Sequence, residues 1–263
     1  MKEDRRRFLR AVTAVSAAGA VPTGLIAEES HAQPLLHTSH AKPRAAIGTA
    51  IQAYLYLTSP EAEFVDAAVA RLIPADGLGP GAKETGVTFF IDRQLAGAWG
   101  TMARNYRQGP WPEGTPQQGY QSRLTPQEVY RAAIREVDQL CTKRYGKAFA
   151  GLIDAQKDEV LRELDEGTLA FDSVPAGLFF SMLWENTQEG FFADPIYGGN
   201  RDKIGWRLVG FPGVAAVYIP YIDRYNEAYR AQPVSIADMQ QKIVQVDEHG
   251  HPVHVMLAAN EKS

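Results

Sequence analysis

Four groups of residues in this chain of 263 carry side chains or spacings that could do chemistry, and each meets an obstacle in its own context. His249, His251 and His254 fall close enough together to suggest metal ligands. Gly250-His251-Pro252 reads as the tip of a hairpin, however, and a turn there separates the rings. Glu185 and Glu189 stand four apart on a helical stretch, so both carboxylates share a face, as an acid/base pair or half of a di-metal site requires. No histidine lies in the same turn, and Asn186 and Gln188 make a solvated or partner-facing surface the better reading. Gly77-Leu-Gly79-Pro-Gly81 is the nearest thing to a phosphate loop, but it follows a helix rather than a strand and Pro80 removes a donor, so it reads as a plain connection. Cys141 is the one cysteine. It sits on the apolar side of a helix, where a lone thiol is a small core residue. In an exported protein an odd cysteine can also pair with another chain, so Cys141 is a candidate for an intersubunit disulfide as well.

Composition narrows the classes further. The chain is 45% hydrophobic and 10% aromatic, with 27 Lys+Arg against 31 Asp+Glu and a net charge of −4. That aromatic content argues against disorder, and the acidic balance argues against a nucleic-acid binder. A single cysteine excludes an internal disulfide framework, a cysteine-based zinc site, an iron–sulfur cluster and CxxCH haem attachment. No Gly-x-Ser-x-Gly elbow occurs, and no apolar run reaches the roughly 20 residues of a membrane-spanning helix. No catalytic residue, metal site or cofactor site is therefore expected on this chain.

The elements that must position these residues read as helices. Ser59-Pro60-Glu61 starts one near 60–73, with Phe64, Val65, Ala68, Val69, Leu72 and Ile73 on one face. Val87, Phe90, Ile91 and Leu95 pattern a second near 85–98, and residues 105–123, with three prolines and three glycines, form a long ordered loop. Thr125-Pro-Gln-Glu128 opens a helix to about Tyr145, Asp154 caps another over 155–165, and an apolar helix spans about 175–190. A short helix follows over 214–228. Ile243–Val246 and Val253–Met256 flank Asp-Glu-His-Gly-His-Pro as a small C-terminal β-hairpin. Without strand–helix alternation the fold class is mainly α, an irregular helical domain with long ordered loops.

The first thirty-two residues read as an address. Arg5-Arg6, Phe8-Leu9 and the Ala-rich run ending at Val21 resemble a twin-arginine export signal, and Ser30-His31-Ala32 places small residues at a cleavage site after Ala32. Cleavage there removes five bases and four acids, leaving a mature chain at −5. The expected organisation is a signal at 1–32, a leader at 33–58 and a single helical domain at 59–263. The expected location is the periplasm.

The stretch from Gly190 to Gly213 mixes glycines with Phe191, Phe192, Tyr197 and Trp206 without a period, and ordering it costs much chain entropy. Either its own core or a partner surface must reward that cost. Aromatic and arginine side chains on rigid turns are the material of interface hot spots.

Three blocks carry a resemblance to a known family: Phe64-Val-Asp-Ala-Ala-Val-Ala-Arg-Leu-Ile-Pro-Ala-Asp76 with Gly81–Val87 after it, Leu124-Thr-Pro-Gln-Glu128, and Gly190-Phe-Phe-Ala-Asp-Pro-Ile-Tyr-Gly-Gly-Asn200 followed by Trp206 and Gly210-Phe-Pro-Gly213. The chain resembles the gluconate 2-dehydrogenase subunit 3 family. The resemblance implies a non-catalytic small subunit that stabilises and co-exports an FAD-containing large dehydrogenase subunit. It also implies a multihaem cytochrome c subunit as a further partner, association with the inner membrane through those partners, and recognition by the twin-arginine translocase. FAD and haem c then belong to the partners. The complex would oxidise gluconate to 2-dehydrogluconate, or in related complexes glucose, fructose, sorbitol or 2-ketogluconate. The expected partner interface is Phe191, Phe192, Asp194, Pro195, Tyr197, Gly198, Gly199, Asn200 and Trp206. A rival of another class is a free-standing periplasmic sugar- or metal-binding enzyme using Glu185, Glu189 and Asp194.

Overall fold

The computed structural model describes residues 53–112, 114–214, 218 and 221–257. The expected export signal, with Arg5, Arg6, Phe8, Leu9 and the cleavage point at Ala32, lies outside the described residues. Seven α-helices occur among the described residues: α1 (Ser59–Leu72), α2 (Val87–Ala96), α3 (Pro126–Tyr145), α4 (Asp154–Asp165), α5 (Ala176–Phe192), α6 (Ile204–Val209) and α7 (Ile236–Gln240). Strand pairing among them is limited to isolated bridges, so the fold is mainly α.

Local chemistry sets the helix ends. Thr58, one residue earlier than the sequence suggests, caps α1: its N–H and Oγ1 donate to the Glu61 carboxylate at 2.8 and 2.9 Å. The same carboxylate accepts from Arg131 Nε at 2.9 Å, which ties α1 to α3. Thr125 caps α3, its N–H donating to Glu128 at 2.7 Å, and Gly146 ends that helix at φ 75°. Asp154 is the first residue of α4 rather than its cap, which is Ile153. Its carboxylate instead meets Arg71 of α1 at 2.7 Å, beside the Arg71–Asp158 pair at 2.7 Å.

α5 is the hub. It packs against α1, α2, α3, α4 and α6, which explains why its sequence is apolar on more than one face. Phe179 on α5 meets Phe64 of α1 at 6.1 Å and the edge of Tyr130 of α3 at 5.4 Å between ring centroids. Tyr130 is fully buried, and Asn186 Nδ2 donates to its hydroxyl at 2.9 Å. Burial pushes that phenol well above its ordinary value and keeps it neutral.

The chain entering α1 is held by one buried carboxylate. Asp92, on α2, accepts the N–H groups of Leu55 at 2.7 Å, Tyr56 at 2.9 Å and Leu57 at 2.8 Å. Three consecutive amides converge on one charge, which fixes the approach of the chain to the core.

Three features differ from the sequence reading. The described residues within 214–228 form turns rather than a regular helix, with Asn226 at φ 61°. The C-terminal hairpin is reduced to a bridge between Val246 and Pro252, since proline has no N–H with which to extend a ladder. Helices α6 and α7, in stretches read as irregular or left unassigned, are short and held by tertiary contacts.

Asp92→Ala leaves three buried or half-buried amides without their acceptor and is expected to cost about 3 kcal/mol, with Asp92→Asn costing less because one oxygen remains. Urea unfolding of the two variants measures this, and amide exchange at Leu55–Leu57 is expected to accelerate first in Asp92→Ala.

Candidate functional site

The Gly190–Gly213 block is built around one problem. α5 ends inside the protein, so its final carbonyls are shielded from water and need donors. Side chains from downstream supply them. Trp206 Nε1 donates to the Phe192 carbonyl at 2.6 Å, and Asn200 Nδ2 donates to the Ala193 carbonyl at 2.8 Å. Asn200 Oδ1 in turn accepts the Gly205 N–H at 2.8 Å, which starts α6. Asp194 divides its carboxylate between the Ile196 N–H at 3.0 Å and the Ile236 N–H at 2.7 Å, pinning both the Pro195–Tyr197 turn and the start of α7.

The glycines follow from how closely these backbones approach. A Cβ on Gly199 would lie 2.1 Å from the Gly190 carbonyl oxygen, and one on Gly205 would lie 2.1 Å from that of Phe191. A Cβ on Gly190 would press into the Phe90 ring at 2.8 Å. Between them Asn200, Asp202 and Lys203 take φ of 46°, 56° and 58°, a left-handed run that non-glycine residues adopt only when the surroundings over-determine it. Here the Asn200 bonds and the 2.6 Å Lys203–Asp238 ion pair do so. Burial alone would raise the Asp238 carboxyl, but Lys203 and the Ser235 cap hold it below its ordinary value.

Burial divides the expected interface in two. Phe191, Asp194, Gly199, Asn200 and Trp206 are enclosed by the chain's own fold, Trp206 to 5% exposure, so they lock α5 to α6 and α7 and cannot offer their side chains to a partner. Phe192, Pro195 and Gly198 are half-buried. Tyr197 remains 50% exposed, and Phe211, whose ring meets Trp206 edge-on at 5.2 Å, is also outward. Arg201 and Arg207 flank them, exposed and without an ion pair among the described residues.

The other candidate groups take bland positions. Glu185 and Glu189 lie together on the exposed side of α5, and partial burial with the charge of Glu185 raises the Glu189 carboxyl. Asp194, the third carboxylate of the enzyme reading, commits both oxygens to backbone amides. Asp247 organises the histidine turn by accepting the N–H groups of His249 at 2.9 Å and His251 at 2.8 Å. His254 instead meets the Tyr229 hydroxyl at 2.9 Å. Among the described residues no three His, Cys, Asp or Glu side chains are grouped to hold a metal ion. Asp76 and Gly79 bridge to close the glycine connection. An open cleft of about 610 Å³ between α1, the segment before α2 and the start of α4 mixes Glu63, Asp66, Lys83 and Lys157 with Arg71, whose charge Asp154 and Asp158 already neutralise. No described helix is long and apolar enough to cross a membrane.

The family model of gluconate 2-dehydrogenase subunit 3 matches residues 59–213, from the first residue of α1 to Gly213 after α6. The chain belongs to the gluconate 2-dehydrogenase subunit 3 family. No curated protein and no solved structure matches it. The family segment therefore holds α1 to α6 with their terminating block, while α7 and the C-terminal turns lie beyond it.

Cys141 lies fully buried on α3, and burial pushes its thiol up to about 12. Iodoacetamide at pH 8 is therefore expected to leave the native chain unmodified and to label it rapidly in urea; labelling of the native chain would mean that the thiol is open to another subunit. Trp206→Phe keeps most of the packing but strands the Phe192 carbonyl, so it is expected to cost about 1–2 kcal/mol in chemical denaturation.

Proposed function

We propose that this member of the subunit 3 family is the non-catalytic small subunit of a membrane-associated, FAD-dependent dehydrogenase complex of the gluconate 2-dehydrogenase type. In this reading the large flavoprotein oxidises gluconate to 2-dehydrogluconate, and a multihaem cytochrome c carries the electrons toward quinone. The observation that carries the reading is the family match over the whole of α1–α6. The described residues fit such a role because their polar groups are spent on holding the fold: Asp92, Asp194, Asn200 and Trp206 all bond to backbone. The outward Tyr197 and Phe211, with Arg201 and Arg207 beside them in sequence, are the residues of the 190–213 block available to touch the flavoprotein.

The second part of the proposal is co-export to the periplasm. A flavoprotein takes up FAD in the cytoplasm and folds around it, so a route that threads unfolded chains would strip the cofactor. The twin-arginine route carries folded proteins, and one member of a complex can display the address for all of them. Here Arg5-Arg6-Arg7-Phe8-Leu9 would supply it.

The test replaces Arg5 and Arg6 by Lys, which keeps the charge but removes the planar guanidinium fork. Flavoprotein activity with an artificial acceptor is then measured in periplasmic and cytoplasmic fractions. The expected outcome is an active flavoprotein retained in the cytoplasm together with this subunit. Normal periplasmic activity would defeat the carrier role, and a flavoprotein indifferent to deletion of this chain would defeat the subunit reading.

A further inference from the structure

Two arginines converge on one glycine at the edge of the α5 lock. Gly86, which precedes α2, and Arg93 stand two helical turns apart, so they share a face of that helix. Gly198 lies across this face. A Cβ on Gly86 would lie 3.3 Å from the Gly198 carbonyl oxygen and 3.3 Å from Arg201 Nη2. A Cβ on Gly198 would lie 3.0 Å from Arg93 Nη1, which donates to the neighbouring Ile196 carbonyl at 3.3 Å. The two glycines take φ of 80° and 106°, and their bare backbone leaves room for both guanidinium groups. Arg201 is fixed at its own backbone, where its N–H donates to the Thr85 carbonyl at 2.9 Å.

The charges around this notch do not cancel among the described residues. In 83–93 and 194–207, the stretches that meet here, Asp92 and Asp194 give their carboxylates to backbone amides, and Lys203 is paired with Asp238. That leaves Lys83, Arg93, Arg201 and Arg207 against Glu84 and Asp202. Glu84 already accepts the Gly81 N–H at 3.0 Å, and neither arginine of the notch has an ion pair with any described residue. Holding like charges against one backbone costs free energy, and an anion that reaches both turns repulsion into charge-assisted hydrogen bonds. The planar guanidinium fork matches the paired oxygens of a carboxylate.

We propose that Arg93 and Arg201 form a carboxylate clamp that receives an aspartate or glutamate side chain of the FAD-containing dehydrogenase subunit. This rests on the proposed subunit role and gives its interface a chemistry. Geometry and charge select the occupant. The notch opens to the surface, with Arg201 exposed and Arg93 half-buried, whereas a free sugar acid is held in a concave pocket that encloses it. Glu84 and Asp202 interrupt the bases, whereas an anionic lipid surface is met by an unbroken basic cluster. Tyr197, 50% exposed, adjoins Gly198, so the clamp sets an arginine pair beside an outward aromatic ring, the side chains that dominate protein interfaces. Both arginines lie inside the matched family segment, in the packed body of the chain.

The experiment uses the full exported chain and the purified FAD-containing subunit expressed with it. Arg93→Gln/Arg201→Gln removes both charges and keeps a donor at position 93 for the Ile196 carbonyl. Its affinity for the flavoprotein is expected to fall at least about tenfold at roughly 50 mM salt, with the difference shrinking toward about 0.5 M. Wild-type affinity is itself expected to fall with salt, a readout that needs no variant. Arg93→Lys/Arg201→Lys keeps the charge without the fork and is expected to lie between the two. The melting temperature of the isolated Gln variant is expected to match or exceed that of the wild type, because a repulsion is relieved. A lower one would mean that the arginines are paired within their own chain, and overturns the clamp. Undiminished binding by the Gln variant, or wild-type binding indifferent to salt, overturns the clamp while sparing the subunit role. Failure of the wild-type chain to bind the flavoprotein overturns both. Gluconate binding by the isolated chain, its dimerisation, or its co-sedimentation with phosphatidylglycerol vesicles, if abolished in the Gln variant, assigns the arginines to those occupants and overturns the proposal.

Discussion

A helix that ends within its own protein has to find donors for its last carbonyls, and the arrangement of this molecule follows from how α5 meets that demand. An exposed helix end would leave the task to water. Here the chain must turn back and deliver Asn200 Nδ2 and Trp206 Nε1 to the Ala193 and Phe192 carbonyls. Doing so within so few residues requires backbone contact, which only glycine at 199 and 205 allows, and left-handed backbone at Asn200, Asp202 and Lys203. The residues that look most distinctive in the sequence are therefore distinctive for a geometric reason. They close the hub helix against α6, and through Asp194 they set the root of α7.

That constraint also explains what could and could not be read from the residues alone. The start of α3 was legible, and that of α1 to within one residue, because capping is local: Thr, Pro and Glu within four positions state their own hydrogen bonds. The apolar faces of α1, α2 and α3 were legible because the helical period repeats over enough residues. The glycine–aromatic block could be singled out, but its role could not, because an aromatic ring buried against its own helix and one held for a partner have the same letter. Only the partner carbonyls distinguish Trp206, which is internal, from Tyr197, which is outward.

Asp92 was invisible for a related reason. Its three amide partners lie 35 to 37 positions away, and nothing in Ile91-Asp92-Arg93 marks the carboxylate as buried rather than solvated. The Ser235–Asp238 cap of α7 was legible in principle, since Ser-Ile-Ala-Asp is a capping pattern, but a helix this short has no periodic face to confirm it. The missed turns of 214–228 show the opposite error. A short helix was expected there, but the described residues take turns, and 222–228 are exposed with no face buried to hold a helix.

The two halves of the described chain thus solve the cost of ordering differently. From α1 to α6, apolar side chains from five helices converge on α5, and their burial offsets the cost of ordering the chain there. Beyond Gly213 the described residues are joined by aromatic contacts and single bridges, and many of their large apolar side chains face outward. The difference lies in what each half has to pack against: the α5 lock spends Asp194, Asn200 and Trp206 on backbone groups of its own helix end, whereas the described turns after Gly213 meet that body only at their root, through Val234, Ile236 and Asp238.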